Sequence, residues 1–319
     1  EVLPCMHILR VDVFGNYVVQ KLLDFGTADM KMEIRNTLEG EMVALSLQMY
    51  GCRVVQKALE TIPEDQLPTL LSEFHHNVLS LVHDQNGNHV IQKCVEVLNS
   101  RAHAAEQNGD VERAEFLWHQ VDFIIQDVLV NTKTLSCHPY GCRVFQRMLE
   151  HCCEQRKLEL LDKIRNAHST LLDDQYGNYV IQHVLQYGRD EDRNSILSII
   201  QENGLLGLSR QKFASNVVEK LLKYGNSSHR RAVIREMLKK TEDPAVYAEA
   251  KRVSIVLLMV RDAYANYVVQ TTLDVAPESP EKRALLYELN SHVEELRNYT
   301  FAKHIVAKLT STTSSLTGR

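Results

Sequence analysis

Seven pairs of side chains stand four residues apart along this chain. They are Asn16 and Gln20, Cys52 and Gln56, Asn88 and Gln92, Cys142 and Gln146, Asn178 and Gln182, Ser215 and Glu219, and Asn266 and Gln270. Beside the first member of each pair comes a side chain that is flat in most copies: Tyr17, Arg53, His89, Arg143, Tyr179, Asn216 and Tyr267. The chemistry these types offer is recognition rather than bond making. An amide carries both a donor and an acceptor, whereas an ionised carboxylate only accepts. Ring and guanidinium planes stack on other flat groups. A ladder of amides that merely stabilises an inner layer needs a single residue type. Here the first position varies among Asn, Cys and Ser, and the fifth is Gln or Glu, while the spacing is kept. Variation at two fixed places beside a stacking side chain suits the reading of different nucleobases, each presented singly on its Watson–Crick edge.

Such pairs can act only if a helix holds them. In Gln175-Tyr176-Gly177-Asn178-Tyr179-Val180-Ile181-Gln182-His183-Val184-Leu185, a helical rotation of about 100° per residue splits the stretch in two. With Asn178 at the origin, Gln182 falls at about 40°, Tyr179 at about 100° and His183 at about 140°, whereas Val180, Ile181, Val184 and Leu185 fall between about 200° and 340°. One arc is apolar and suits burial; the other carries the polar set. The first pair members lie at 16, 52, 88, 142, 178, 215 and 266, with successive differences of 36, 36, 54, 36, 37 and 51. A period near 36 predicts a solenoid, in which each unit buries its apolar face against its neighbours. The two long intervals mark insertions near 100–116 and 239–253.

Each unit reads as a motif helix, a backing helix and a short linking helix. Residues 1–13 lead into the first motif as a helix. The first motif helix runs to about Phe25 and stops at Gly26, a natural C′ residue. Thr27 or Asp29 caps a second helix to about Leu38, and Met42 to Leu47 forms a short third. The polar stretch from Ser100 to Glu115 is expected as a mobile surface insertion, dispensable for ligand binding. A last unit around Phe301-Ala302-Lys303-His304-Ile305-Val306-Ala307-Lys308 keeps the apolar arc but has Ala307 in place of Gln, which predicts a capping repeat. The domain is therefore expected over 1–309, followed by a disordered Ser/Thr-rich tail over 310–319.

A net charge of −5 over 319 residues argues mildly against a polyanionic partner. The residues after the fifth motif position offset that: Lys21, Lys57, Lys93, Arg147 and Lys220 form a local basic stripe on the polar face, joined by Arg53 and Arg143, and are expected to attract phosphates. His183 and Thr271 occupy the same place in the other two motifs. Seven cysteines without a C-x-x-C pair suit a reduced intracellular protein and no zinc site. No run of 18 apolar residues is present, so no membrane span is expected, and no signal peptide is visible. His75-His76, His119, His138 and His151 neither recur with the motif nor pair with a nucleophile motif. They read as surface or helix-end residues, against an enzyme. A protein-binding solenoid of the armadillo or HEAT kind is the competing class, but it would lack base-like variation on its inner face.

On these seven motifs the chain resembles the Pumilio-homology (PUF) domain family from Glu1 to about Leu309. The resemblance implies an all-α fold: a right-handed α-solenoid superhelix, a curved crescent of three-helix repeats, binding single-stranded RNA on its concave face at one base per repeat. It implies that positions one and five touch the base edge and that position two stacks. It also implies that Asn with Gln reads uracil, Cys with Gln adenine, and Ser with Glu guanine. With RNA running antiparallel, the implied order is Asn266/Gln270 U, Ser215/Glu219 G, Asn178/Gln182 U, Cys142/Gln146 A, Asn88/Gln92 U, Cys52/Gln56 A and Asn16/Gln20 U, a site 5′-UGUAUAU-3′. Members usually have eight base-reading repeats, and only seven motifs are present, so a piece cut from a longer protein is the expectation. The resemblance further implies a cytoplasmic monomer without cofactor. It would repress messenger RNAs at 3′-untranslated sites, with deadenylation and translational-repression proteins docking on the convex face.

Overall fold

The computed structural model describes residues 3–242 and 252–317. All seven motifs are helical: Gly15–Phe25, Gly51–Thr61, Gly87–Gln107, Gly141–His151, Gly177–Tyr187, Ala214–Tyr224 and Ala265–Val275. The predicted two-faced helix is what appears. In every motif, position one is buried, position two exposed and position five half-buried. Positions three and four are buried as well, except that Val18 is 44% exposed. Burying a Val, Ile or Leu side chain stabilises by about 1.5–3 kcal/mol, so this arc holds each motif helix in place.

Backing and linking helices follow as the spacing predicts. After the first motif, Thr27 caps the helix Ala28–Leu38 by accepting from the Met30 N–H, and Met42–Ser46 forms the short third helix. Gly26 ends the motif helix in extended backbone, φ −70°, rather than in the left-handed form expected of a C′ glycine. The expected lead-in helix is broken into a short turn at Leu3–Cys5 and a single helical turn, Met6–Leu9. Close approach sets the residue at the start of several motifs. A Cβ on Gly141 would come within 2.6 Å of the Leu135 carbonyl oxygen, in the preceding linking helix.

Contacts divide the chain into two compact units, 1–164 and 165–319. In the first, the four motif helices pack one on the next in chain order. In the second, the remaining three do the same, and the helix Lys303–Thr317 packs on Ala265–Val275. Each unit is an all-α repeat solenoid, and the all-α expectation needs one small correction. Lys240–Glu242 pairs antiparallel with Arg252–Ser254, a two-stranded ribbon bracketing the second insertion. The rest of that insertion, 243–251, lies outside the described residues.

The first insertion is not the mobile surface segment expected. The motif helix beginning at Gly87 continues for 21 residues to Gln107. Gly109, at φ +79°, reverses the chain. Asp110 then caps Val111–His119 by accepting from the Arg113 N–H, and the two helices pack along each other. Asn99, Ala102, Ala105, Ala114 and Leu117 are buried in this helical hairpin, and Arg113 makes a two-pronged pair with Glu64 at 2.8 and 2.9 Å. The seam is made of alanines at helical spacing, so a polar composition concealed it. The tail is corrected too. Helix extends through Thr317 over most of the stretch expected to be disordered, with Thr310 Oγ1 donating back to the Val306 and Ala307 carbonyls. Gly318 and Arg319 lie outside the described residues.

Candidate nucleic-acid interface

The four Asn/Gln pairs share one geometry, built from the turn before each helix. An aspartate three residues ahead of the motif's first residue accepts two backbone N–H groups. Asp12 takes those of Phe14 and Gly15, Asp84 those of Asn86 and Gly87, Asp174 those of Tyr176 and Gly177, and Asp262 those of Tyr264 and Ala265. Its own carbonyl, with the next one, accepts from the Asn side chain. Asn16 Nδ2 donates to Asp12 and Val13, Asn88 to Asp84 and Gln85, Asn178 to Asp174 and Gln175, and Asn266 to Asp262 and Ala263, all at 2.8–3.0 Å. The Asn amide is thereby fixed with Oδ1 turned toward position five. There it accepts from Gln20, Gln92, Gln182 or Gln270 Nε2 at 2.8–2.9 Å. Each Gln keeps one N–H and its Oε1 for a ligand. A donor beside an acceptor, held in a fixed plane, matches the N3–H and a carbonyl of uracil.

The Cys/Gln pairs differ in what fills position one. Cys52 Sγ donates to the Met49 carbonyl at 3.3 Å and Cys142 Sγ to Pro139 at 3.6 Å, so both thiols turn inward. Burial pushes the Cys52 pKa up and keeps it neutral. Gln56 Nε2 donates to the Cys52 carbonyl instead of to a side chain. The same donor and acceptor then stand behind a smaller group, which leaves room for the larger ring of a purine. No aspartate caps these turns. Before Cys142, His138 Nδ1 accepts from the Tyr140 and Gly141 N–H groups at 3.2 and 3.1 Å, and burial and then neighbouring His83 hold its pKa down, in keeping with an accepting nitrogen.

The pair Ser215/Glu219 is built differently again. Ser215 Oγ donates to the Lys212 carbonyl at 3.2 Å. Glu219 Oε2 accepts from Thr271 Oγ1, on the next motif helix, at 3.0 Å, with Lys223 Nζ 3.8 Å away.

All seven position-two residues, Tyr17, Arg53, His89, Arg143, Tyr179, Asn216 and Tyr267, are exposed. In the first unit three of them form a row: burial, then the charges of Arg53 and Arg143, lowers the His89 pKa. An exposed imidazole and two exposed guanidinium groups on successive motif helices are flat groups on which bases can stack.

The basic stripe is not a row of free cations. Lys57 Nζ lies 3.2 Å from Asp24 and 2.7 Å from Glu60, and Lys93 Nζ lies 3.0 Å from Glu60 and 3.3 Å from Glu96. Arg147 pairs with Glu150. Position six of one repeat thus bonds position nine of the repeat before, and the same rung recurs where Lys308 meets Asp274 at 2.6 Å. Lys21 and Lys220 lie instead over the rings of Phe25 and Tyr224, at 5.2 and 5.0 Å. The capping aspartates, the acids of the ladder and Thr271 are the residues that reading the pairs alone missed. The signal was present: an acid at position nine recurs as Asp24, Glu60, Glu96, Glu150 and Asp274. Among the described residues no group of His, Cys, Asp and Glu is arranged to hold a metal ion, and no helix is long and apolar enough to cross a membrane.

An all-α repeat solenoid with paired hydrogen-bonding side chains and a stacking side chain in register on successive helices is, by fold and site, a nucleic-acid-binding repeat protein. The model of the Pumilio-family RNA-binding repeat matches at 11–36, 41–75, 77–102, 131–165, 174–201, 205–238 and 256–289, and the chain belongs to that family. The second insertion falls between matched repeats, and the first does so from residue 103 onward. A Pumilio domain-containing protein of Schizosaccharomyces pombe is 30% identical over 314 residues, covering 97% of this chain and 41% of its own length. Suppressor protein MPT5 of Saccharomyces cerevisiae is 31% identical over 312 residues, covering 92% of this chain and 34% of its own. The chain therefore spans well under half of each relative. Among solved structures, the Puf3 RNA-binding domain bound to a Cox17 RNA 3′ UTR recognition sequence superposes with a TM-score of 0.81 at 34% identity, covering 97% of this chain and 84% of that one. PUF-8 in complex with PBE-RNA gives 0.79 at 34% identity, covering 97% and 83%.

Proposed function

We propose that this chain binds single-stranded RNA sequence-specifically, one base per motif helix, at 5′-UGUAUAU-3′. The second unit reads UGU and the first reads AUAU. The observation that carries the reading is the locked Asn–Gln geometry, four times repeated, which leaves one donor and one acceptor at position five beside an exposed stacking side chain. A helix-stabilising ladder would consume those groups instead of leaving them open. The likeness to a Puf3 domain bound to a 3′ UTR sequence supports messenger RNA as the source of the site. By the same reading the protein acts in the cytoplasm as a repressor of the messages it binds. The test is selection of bound RNA from a random pool, followed by filter binding. Recovery of UGUAUAU supports the reading; a pool without a common sequence sinks it.

The ladder makes a separate prediction about affinity. Lys21 and Lys220 carry no carboxylate partner among the described residues, so they are the stripe members open to phosphate. Replacing both with alanine should lower affinity for all RNAs alike and reduce the slope of log K against log salt by roughly 0.7 per lost contact on a single strand. Lys57→Ala and Lys93→Ala should mainly lower the melting temperature, since exposed pairs contribute about 0.2–1 kcal/mol each. Titrations at four salt concentrations decide it. An unchanged slope in the Lys21/Lys220 double variant would leave those lysines as covers for their aromatic neighbours.

A further inference from the structure

One rung of the ladder is altered at three positions together. At three other rungs position six is a cation bonding an acid at position nine of the preceding repeat, as Lys57 does with Asp24, Lys93 with Glu60 and Lys308 with Asp274. Before the last motif, position nine is Lys223, position six is Thr271 and position five is the acid Glu219. A lysine at 271 would face Lys223 and would compete with it for the carboxylate. The hydroxyl present instead donates to Glu219 Oε2 at 3.0 Å, and Thr271 is only 7% exposed, so water does not contest that bond. Thr271 itself lies outside the seven base-reading pairs, on the helix that carries Asn266 and Gln270.

We propose that Thr271 is a specificity-determining residue for the neighbouring repeat, orienting the Glu219 carboxylate toward guanine. The inference rests on the RNA-binding reading above. A glutamate with a free terminal torsion spreads its two oxygens over many orientations, because that torsion is broad and roughly two-fold. Guanine offers two parallel donors, N1–H and an N2–H, and rewards a carboxylate plane that is already aligned. Thr271 fixes Oε2 with one hydrogen bond. Each carboxylate oxygen accepts two, so Oε2 keeps capacity for one guanine donor and Oε1 remains for the other. Lys223, 3.8 Å from the same oxygen, adds attraction without a fixed direction. Uracil gains less from this arrangement, since its single donor, N3–H, is flanked by carbonyl acceptors that face the carboxylate. Thr271 therefore acts on the choice of base and not on affinity in general.

The experiment compares wild type, Thr271→Val and Thr271→Ser for binding to 5′-UGUAUAU-3′ and 5′-UUUAUAU-3′. Valine keeps the shape and removes the donor; serine keeps the donor. Thr271→Val should lower the preference for the first RNA roughly tenfold, the scale of a hydrogen bond to a charged group, and leave affinity for the second unchanged. Thr271→Ser should retain the wild-type preference. An unchanged ratio in Thr271→Val, or equal weakening on both RNAs, overturns the proposal by making Thr271 a packing residue. Wild type tests the underlying reading separately: without a preference for the guanine RNA, that reading fails and this one with it. Matching melting curves confirm that the variants are folded.

Discussion

A protein carrying Ser215→Asn and Glu219→Gln should prefer 5′-UUUAUAU-3′ to 5′-UGUAUAU-3′, reversing the order proposed for the wild type. The double substitution recreates the pair at Asn178 and Gln182, and the surroundings accept it. The new position-one amide would lie beside the Gln211 and Lys212 carbonyls, which already accept the Ser215 N–H and Oγ–H at 3.0 and 3.2 Å. They stand where Asp174 and Gln175 stand for Asn178. The new Gln keeps an oxygen for the Thr271 hydroxyl. What changes is the outward edge. The carboxylate, acceptor-only, suits the two donors of guanine, while the amide presents one donor and one acceptor. By analogy with single-base discrimination on DNA, each direction of the swing amounts to about 1–3 kcal/mol. A two-by-two affinity matrix reads it. Equal weakening on both RNAs would mean that these residues hold the helix. No change in any cell would mean that this face does not meet RNA.

Acid destabilises the second unit through His168, by an amount comparable to that swing. The side chain is fully buried, with Nδ1 3.4 Å from Ser195 Oγ and no partner on Nε2 among the described residues. Burial lowers its pKa to about 4, the attraction of Asp192 opposing and the charge of Arg165 adding. A depressed pKa on a base means that the unfolded chain takes up the proton first. Stability is full above about pH 6.5, where the imidazole is neutral in both states, and falls as pH drops from there to about 4. At 1.36 kcal/mol per unit, the loss over that window is about 3 kcal/mol. His168→Leu removes the titration. Denaturant titrations of both proteins at pH 7.5, 6.5, 5.5 and 4.5 isolate it, because other groups cancel in the difference. A difference between the proteins that stays constant across the window would show that His168 is protonated without cost.

Much was legible in the residues because helices are local. The pairs at positions one and five, the exposed side chain at position two and the buried arc behind them follow from a fixed rotation per residue. A sequence of four apolar and three polar positions therefore determined which side chains share a face, and the recurrence near 36 residues determined that such faces would stack. The three-helix unit followed from Thr27, the capping residue, and from apolar spacing.

Tertiary structure decided what those side chains do to one another. Lys57 and Lys93 read as a phosphate-seeking stripe, since cations recur on the polar face, yet they are bound to acids on adjoining helices. Thr271 looked like a gap in that stripe, yet it donates to Glu219, the one acid among the seven residues at position five. The segment after Ser100 read as a loop, and Ala102, Ala105, Ala114 and Leu117 made it a hairpin only once a second helix lay against the first. In each case the deciding quantity is the axial offset between neighbouring helices. That offset is set by the packing of one motif helix on the next, as where Lys57 meets Asp24 and Thr271 meets Glu219, and no periodicity within one repeat contains it.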